Sequence, residues 1–290
     1  MINFGKVSTA MVTPFDNKGN IDFEKTTQLI DYLIANGTDS LVVAGTTGES
    51  PTLSNEEKIA LFEHTVKAVA GRIPVIAGTG SNNTHASIDL TKKAEAVGVD
   101  AIMLVAPYYN KPNQEGLYQH FKAIAAETSL PVMLYNIPGR SIVNMDLTTV
   151  VKLSHEPNIV AVKEASGNLD LMTEIIANTS EDFLLYSGDD GLTLPVLSIG
   201  GAGVVSVASH IIGNEMQEMI STFISGDVQS AAKRHQTLLP VMKGLFSAPS
   251  PTPVKTALQL KGMDVGGVRL PLVPLTEDER VALTNLLQSL

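Results

Sequence analysis

Short apolar runs recur along this 290-residue chain at nearly regular intervals, and that recurrence narrows the possible folds more than any other feature. The runs cover residues 6–12, 40–44, 73–77, 101–105, 131–135, 159–163, 183–187 and 203–207. Their centres (Val7, Val42, Val75, Ile102, Val132, Val160, Leu184 and Val204) are 35, 33, 27, 30, 28, 24 and 20 residues apart. Most runs are apolar continuously rather than at every second position, the pattern of strands covered on both faces in a parallel sheet.

Between the runs lie helix-period stretches with marked ends. Asp22 opens a stretch in which Phe23, Leu29, Ile30, Leu33 and Ile34 share a face and Gly37 follows as a stop. Ser54 with Glu57, and Thr276 with Glu279, have the spacing of capping boxes; the second precedes a final helix running to residue 290. Thr84 is placed to cap a helix closed by Gly98. Eight strands, each followed by a helix, predict an α/β fold, a (β/α)₈ TIM barrel. A doubly wound open sheet accounts for eight strands less economically. The last strand leaves some eighty residues, more than one helix can use, so a C-terminal helical extension is expected. The division expected is 1–224 for the barrel and 225–290 for the extension, with the proline-rich piece 247–253 a connection inside the latter.

Composition removes several classes of function. Thirty acidic residues against twenty basic ones give a net charge of −10, which argues against a nucleic-acid footprint or a basic membrane patch. Cysteine is absent, so disulfides, thiolate nucleophiles and cysteine metal sites are excluded. No apolar run approaches the roughly 20 residues of a membrane-spanning helix. Gly5, Lys6, Pro14 and Asp16 interrupt the N-terminal stretch before a signal-peptide core forms, so a cytoplasmic protein is expected. The six histidines show neither HxH nor HExxH spacing, which makes a metal centre an unfavoured reading. Adjacent loop carboxylates, as at Asp189 and Asp190, usually face solvent rather than a cation.

Chemistry in such barrels sits at the C-terminal ends of the strands. Those ends here carry TPF, GTTGES, GTGSN, PYYNKP, YNIPGR, KEASG, SGDD and SVASH. Lys163 ends its run and is aimed toward the barrel interior. It reads either as a lysine snorkelling to water or as an amine kept neutral by a low dielectric and able to attack a carbonyl. Thr46 and Thr47, in a glycine-flanked turn, suit a small carboxylate but also an ordinary βα turn. GTTGES is not a phosphate-binding loop, since no Lys-Ser/Thr follows its second glycine. Tyr108, Tyr109 and Tyr135 offer either proton-transfer hydroxyls or rings that close the mouth. Arg140 has the fork to hold a carboxylate, or to pair with a nearby acid.

GTTGES, PYYNKP, YNIPGR and KEASG, in this order and spacing and with a later PTPVK, resemble the dihydrodipicolinate synthase family, within the pyruvate-dependent class I aldolase and N-acetylneuraminate lyase superfamily. The resemblance covers essentially the whole chain. It implies condensation of pyruvate with L-aspartate 4-semialdehyde in lysine and diaminopimelate biosynthesis, with a covalent imine at Lys163 and no cofactor or metal. By matching motifs, Tyr135 is the proton shuttle, linked through Thr47 to Tyr109, which in the family enters from a neighbouring subunit. Thr46 and Thr47 hold the pyruvate carboxylate, Arg140 receives the semialdehyde carboxylate, and Gly188 and Val205 contribute backbone groups. A homo-oligomer follows, at least a dimer and commonly a tetramer. Neuraminate lyases and sugar-acid aldolases use the same lysine chemistry, and Arg140 favours a carboxylate-bearing aldehyde over an uncharged sugar. A barrel that only senses an oxo acid is the non-catalytic alternative. Ser50, Asn82 and Tyr108 match the effector site of lysine-inhibited relatives. The histidine or glutamate positions of that site hold Asn55, Lys58 and Ala86 here, so weak or absent lysine inhibition is expected.

Overall fold

The computed structural model describes residues 3–288. Eight strands form: β1 (Val7–Ala10), β2 (Ser40–Val43), β3 (Val75–Gly78), β4 (Ala101–Val105), β5 (Val132–Asn136), β6 (Ile159–Glu164), β7 (Leu184–Ser187) and β8 (Gly203–Ser206). Each falls on one of the apolar runs, within two residues at either end. All pair in parallel with their sequence neighbours, and β8 closes on β1 through Val7 and Val204, Ser8 and Val205, Thr9 and Ser206. Closure leaves no sheet edge and excludes the open doubly wound sheet.

Strand alternation divides the core in two. Ala10, Val42, Ile76, Met103, Met133, Tyr135, Ala161, Tyr186 and Val205 pack inside the barrel. Leu41, Val43, Leu134, Val162, Leu185 and Val204 face the surrounding helices. Phe4 fills the floor, edge-on to Tyr186 with ring centroids 6.2 Å apart, and the Tyr186 hydroxyl donates to the Gly5 carbonyl at 3.0 Å. The N-terminal end of the barrel is thus plugged, and the C-terminal end is left for chemistry.

The capping residues act as their spacing predicts, with one shift. Asp22 accepts the Lys25 N–H at 3.0 Å at the start of helix Phe23–Ala35. Ser54 and Glu57 exchange bonds of 3.2 and 2.9 Å. Thr276 and Glu279 do the same ahead of Glu277–Gln288; the last two residues of the expected final helix lie outside the described residues. Helix Thr84–Ala96, however, is capped by Asn83, whose side chain accepts the Ala86 N–H; Thr84 is its first helical residue and bonds His120 instead. Phe23 and Ile34 also stay out of the buried face, which Thr26 helps to form; Phe23 lies against His64.

After the last barrel helix, Ser209–Ile224, come Val228–Gly244, Thr252–Leu260 and Glu277–Gln288. Their Leu238, Val241, Met242, Val254, Leu258 and Leu283 join the same apolar cluster as the barrel's outer layer. The segment between the last two of these helices is pinned to the first βα loop: Phe15 N–H donates to Val265 O at 3.0 Å, and a Cβ on Gly266 (φ +71°) would stand 2.0 Å from Phe15 O. Only glycine fits that crossing. No helix among the described residues is long and apolar enough to cross a membrane.

Candidate active site

Two inward-facing residues meet at the mouth because β5 and β6 are in register there. Tyr135 pairs with Lys163, and both side chains share the interior face with Met133 and Ala161. Lys163 is 6% exposed, and its Nζ lies 4.0 Å from the centre of the Tyr135 ring. Among the described residues it has neither an ion-pair partner nor a hydrogen bond. Gly188 at the end of β7 leaves it room: a Cβ there would lie 3.1 Å from Lys163 Cε and 2.6 Å from Ala165 Cβ. The lysine is therefore buried beside a phenol, not snorkelling into water.

The GTTGES turn closes on itself through Glu49 N–H to Thr46 O (3.1 Å) and Ser50 N–H to Gly45 O (3.2 Å), and Thr13 Oγ1 donates to Gly48 O at 2.7 Å. The backbone N–H groups of Thr46 and Thr47 have no partner among the described residues. Two free donors beside two hydroxyls are groups of the kind that can hold a carboxylate. A cavity of about 350 Å³ opens here, lined by Thr46, Tyr135 and Arg140 and also by Ser50, Lys58 and Tyr108. Its lining carries two cations and no carboxylate. Burial pushes the Lys58 amine below its ordinary range. Arg140 rides on the short helical turn Pro138–Ser141 and also borders a second cavity of about 520 Å³, with Ala165, Gly188 and Asp189. Lys163 thus lies between a wall of the first cavity, Tyr135, and a wall of the second, Gly188.

Thr47 is buried beside Thr46, and Val205 lies inside the barrel in the cluster that contains Tyr135. Tyr109 does not join them: it is 90% exposed, at φ +73°, and lines neither cavity. Asn82 stands outside the cavity but donates to the Tyr108 carbonyl at 3.1 Å. Asp189 and Asp190 are not a solvated pair. Asp190 is buried and accepts from Ser206 Oγ (2.5 Å) and from the Val207 and Ala208 N–H groups, so it secures the loop after β8. Burial raises its acid range, against those bonds. His210 is likewise structural: its Nε2 accepts the Val12 N–H, its Nδ1 bonds Val207 O, and burial holds it neutral with a pKa of about 4. Among the described residues no three His, Asp or Glu side chains gather as a metal cluster.

Other polar groups here went unassigned in the motif reading. Glu49, two residues after Thr47, forms a buried ion pair with Lys255 of PTPVK at 2.7 Å. Arg269 donates its N–H to the same carboxylate and its guanidinium to Glu57, and both cations lie over the Phe15 ring. Glu164 and Asn136, the neighbours of Lys163 and Tyr135, are both buried on the outer face of the barrel. Glu49, Lys255, Glu164 and Asn136 sit within the sequence motifs and Glu57 in a capping box, but nothing in a linear spacing shows which of them meet.

A closed eight-stranded barrel with a buried, unpaired lysine and a hydroxyl-lined cavity at its C-terminal face is the framework of a (β/α)₈ enzyme. The family model of the dihydrodipicolinate synthetase family matches residues 3–290, and the chain belongs to that family. It is 70% identical to a 4-hydroxy-tetrahydrodipicolinate synthase of Bacillus subtilis, over the full length of both. A crystal structure of a dihydrodipicolinate synthase from Bacillus anthracis superposes with a TM-score of 0.99 at 68% identity, covering 100% of this chain and 99% of that one. A lysine-bound enzyme from Cyanidioschyzon merolae gives 0.97 at 49% identity, covering 99% and 98%.

Proposed function

We infer that this enzyme condenses pyruvate with L-aspartate 4-semialdehyde to 4-hydroxy-tetrahydrodipicolinate, a lyase step of lysine and diaminopimelate biosynthesis, through an imine on Lys163. The observation that carries the residue assignment is the buried Lys163 amine, paired with no carboxylate among the described residues and 4.0 Å from the centre of the Tyr135 ring. An amine in that setting is not tied up as the cation of an ion pair, and it can add to the C2 carbonyl of pyruvate.

Loss of water from the adduct gives a protonated imine, which makes the pyruvate methyl group acidic. Removal of a C3 proton yields the enamine, and its carbon attacks the semialdehyde carbonyl. The substrate's own amine then closes on C2 and expels Lys163. Tyr135 passes protons to and from the leaving water and the new hydroxyl, with Thr47 and Tyr109 extending the relay. The free N–H groups and hydroxyls of Thr46 and Thr47 hold the pyruvate carboxylate. Arg140 takes the semialdehyde carboxylate at the junction of the two cavities. Gly188 and Val205 complete the wall. No organic cofactor or metal takes part, since the imine nitrogen is the electron sink.

Tyr109 is exposed and lines neither cavity of its own chain, so a second copy is needed to bring this phenol to Thr47; a dimer is the minimum unit and a tetramer its expected assembly. The enzyme works in the cytoplasm. Residues 1–224 are treated as the catalytic barrel and 225–290 as its helical extension. At the first cavity, Lys58 beside Ser50, Tyr108 and Asn82 repels a dibasic effector. Lysine inhibition is accordingly weak or absent, and strong inhibition at submillimolar lysine would contradict this.

Borohydride reduction in the presence of pyruvate tests the mechanism: the covalent mass is expected on Lys163, and modification elsewhere, or none, removes it. Offering N-acetylmannosamine in place of the semialdehyde tests the substrate, and turnover with the sugar alone would point to a neuraminate-type lyase. Pyruvate binding with no product from any aldehyde would point to a sensor.

A further inference from the structure

The register that pairs Tyr135 with Lys163 inside the barrel pairs the next residues, Asn136 and Glu164, on its outer face. Both are fully buried among the helices. Asn136 Nδ2 donates to Glu164 Oε2 at 2.9 Å, and the Ser166 N–H donates to Glu164 Oε1 at 2.7 Å. No lysine or arginine is bonded to this carboxylate among the described residues. Its charge is therefore served only by neutral donors, and burial raises its acid range. A buried acid with no cation is a costly way to fill space beside a strand.

The bonds of this pair reach every strand end around the lysine. The Glu164 carbonyl accepts the Gly188 N–H at 2.7 Å, and the Asn136 carbonyl accepts the Ala165 N–H at 2.9 Å. The Asn136 side chain also accepts the Met145 N–H at 3.0 Å and donates to Asn144 Oδ1 at 2.8 Å. The segment so anchored, 137–145, is the one that carries Arg140. One carboxylate–amide contact thus joins the strand of the nucleophile, the strand of its tyrosine and the loop of the arginine.

We propose that Glu164 and Asn136 are positioning residues. Across the barrel wall they hold Lys163 against Tyr135, and through Asn144 and Met145 they set the height of the Arg140 loop. Neither side chain touches substrate. Side chains alternate along a strand, so a shift of the outer pair is transmitted directly to the inner one. A displacement of about 1 Å in a reacting group is enough to cost up to about a hundredfold in rate.

The proposal rests on Lys163 being the imine lysine, so trapping of the unsubstituted enzyme is the control. If borohydride and pyruvate do not label its Lys163, the functional reading falls; if they do, the variants judge this inference alone. In Glu164→Leu, which keeps the volume but no acceptor, trapping is expected to slow about tenfold or more at a temperature where circular dichroism shows a folded protein. Glu164→Gln keeps one acceptor and should recover most of that rate. Asn144→Ala removes one of the two bonds from Asn136 to the loop, leaving that of the Met145 N–H, and should raise KM for the semialdehyde several-fold with trapping unchanged. A folded Glu164→Leu that traps pyruvate at the parental rate overturns the proposal, as does an Asn144→Ala enzyme with parental KM. Should Glu164→Leu fail to fold, Asn136→Ser takes its place with the same expected slowing and the same overturning result.

Discussion

Two lysines are buried in this protein, each directly after a valine, and their surroundings differ completely. Lys255 is ion-paired with Glu49 at 2.7 Å, donates to the Gly267 carbonyl at 2.7 Å and lies 4.2 Å from the centre of the Phe15 ring. Lys163 has the ring of Tyr135 and, among the described residues, no acceptor for its amine. Burial is common to both, so burial alone does not make a nucleophile. Lys255 is drawn down to about 8 by desolvation, with Glu49 opposing, yet its proton and its geometry are committed to a carboxylate that braces the GTTGES turn. Its role is to join the C-terminal segment to the loop that carries Thr46 and Thr47. Lys163 has, among the described residues, only the Tyr135 ring against its amine, which is the setting the proposed imine chemistry needs.

The sharpest way to break this contrast is Lys163→Met. Turnover should fall about 10³-fold or more, with no borohydride adduct and little change in melting temperature, because a free amine contributes little to the fold. Lys255→Met should do the reverse. Removing one partner strands a buried carboxylate and costs about 3–5 kcal/mol, read as a drop in the unfolding midpoint, whereas Lys255→Met combined with Glu49→Leu should regain part of it. Parental stability in Lys255→Met would mean that the pair is not structural.

Acid sharpens the contrast from the side of the scaffold. His120 and His210 are held neutral, each near pH 4 against an ordinary 6.5, because burial disfavours the cation. Below pH 6.5 the unfolded chain takes up protons that the folded one refuses, so stability should fall as pH drops from 6.5 toward 4. Replacing His210 with Gln should flatten that decline in pH-dependent melting. The smallest effect is expected of Gly188→Ala, whose methyl must displace Lys163 Cε or Ala165 Cβ. Stability should drop by about 1–3 kcal/mol, with slower pyruvate trapping. Unchanged trapping would show that Lys163 has slack at that wall.

Much of the fold could be read before any coordinates. The run at 101–105 coincides with β4, and Ser54 with Glu57 caps its helix as spaced, because both signals depend only on near neighbours. Asn83 and Thr84 show the limit. Both residue types cap helices, they are adjacent, and only the backbone conformation chooses between them. Asp190 shows another: a loop acid that reads as solvated is buried, since Ser206 and two N–H groups come to it from the next strand. Tyr109, expected to act from a neighbouring subunit, is 90% exposed in its own chain and lines neither cavity, and no spacing in the sequence could show that.

Periodicity and caps therefore specified the eight strands and the helices between them, for these are properties of segments a few residues long. The ordered motifs specified the family. Which buried lysine would be free and which held was beyond such signals. That depended on Glu49 reaching Lys255 across more than two hundred residues, and on barrel closure bringing Tyr135 and Gly188, but no anion among the described residues, to Lys163. The reactivity proposed for Lys163 is a matter of what fails to come near an amine, and only the closed chain determines its neighbours.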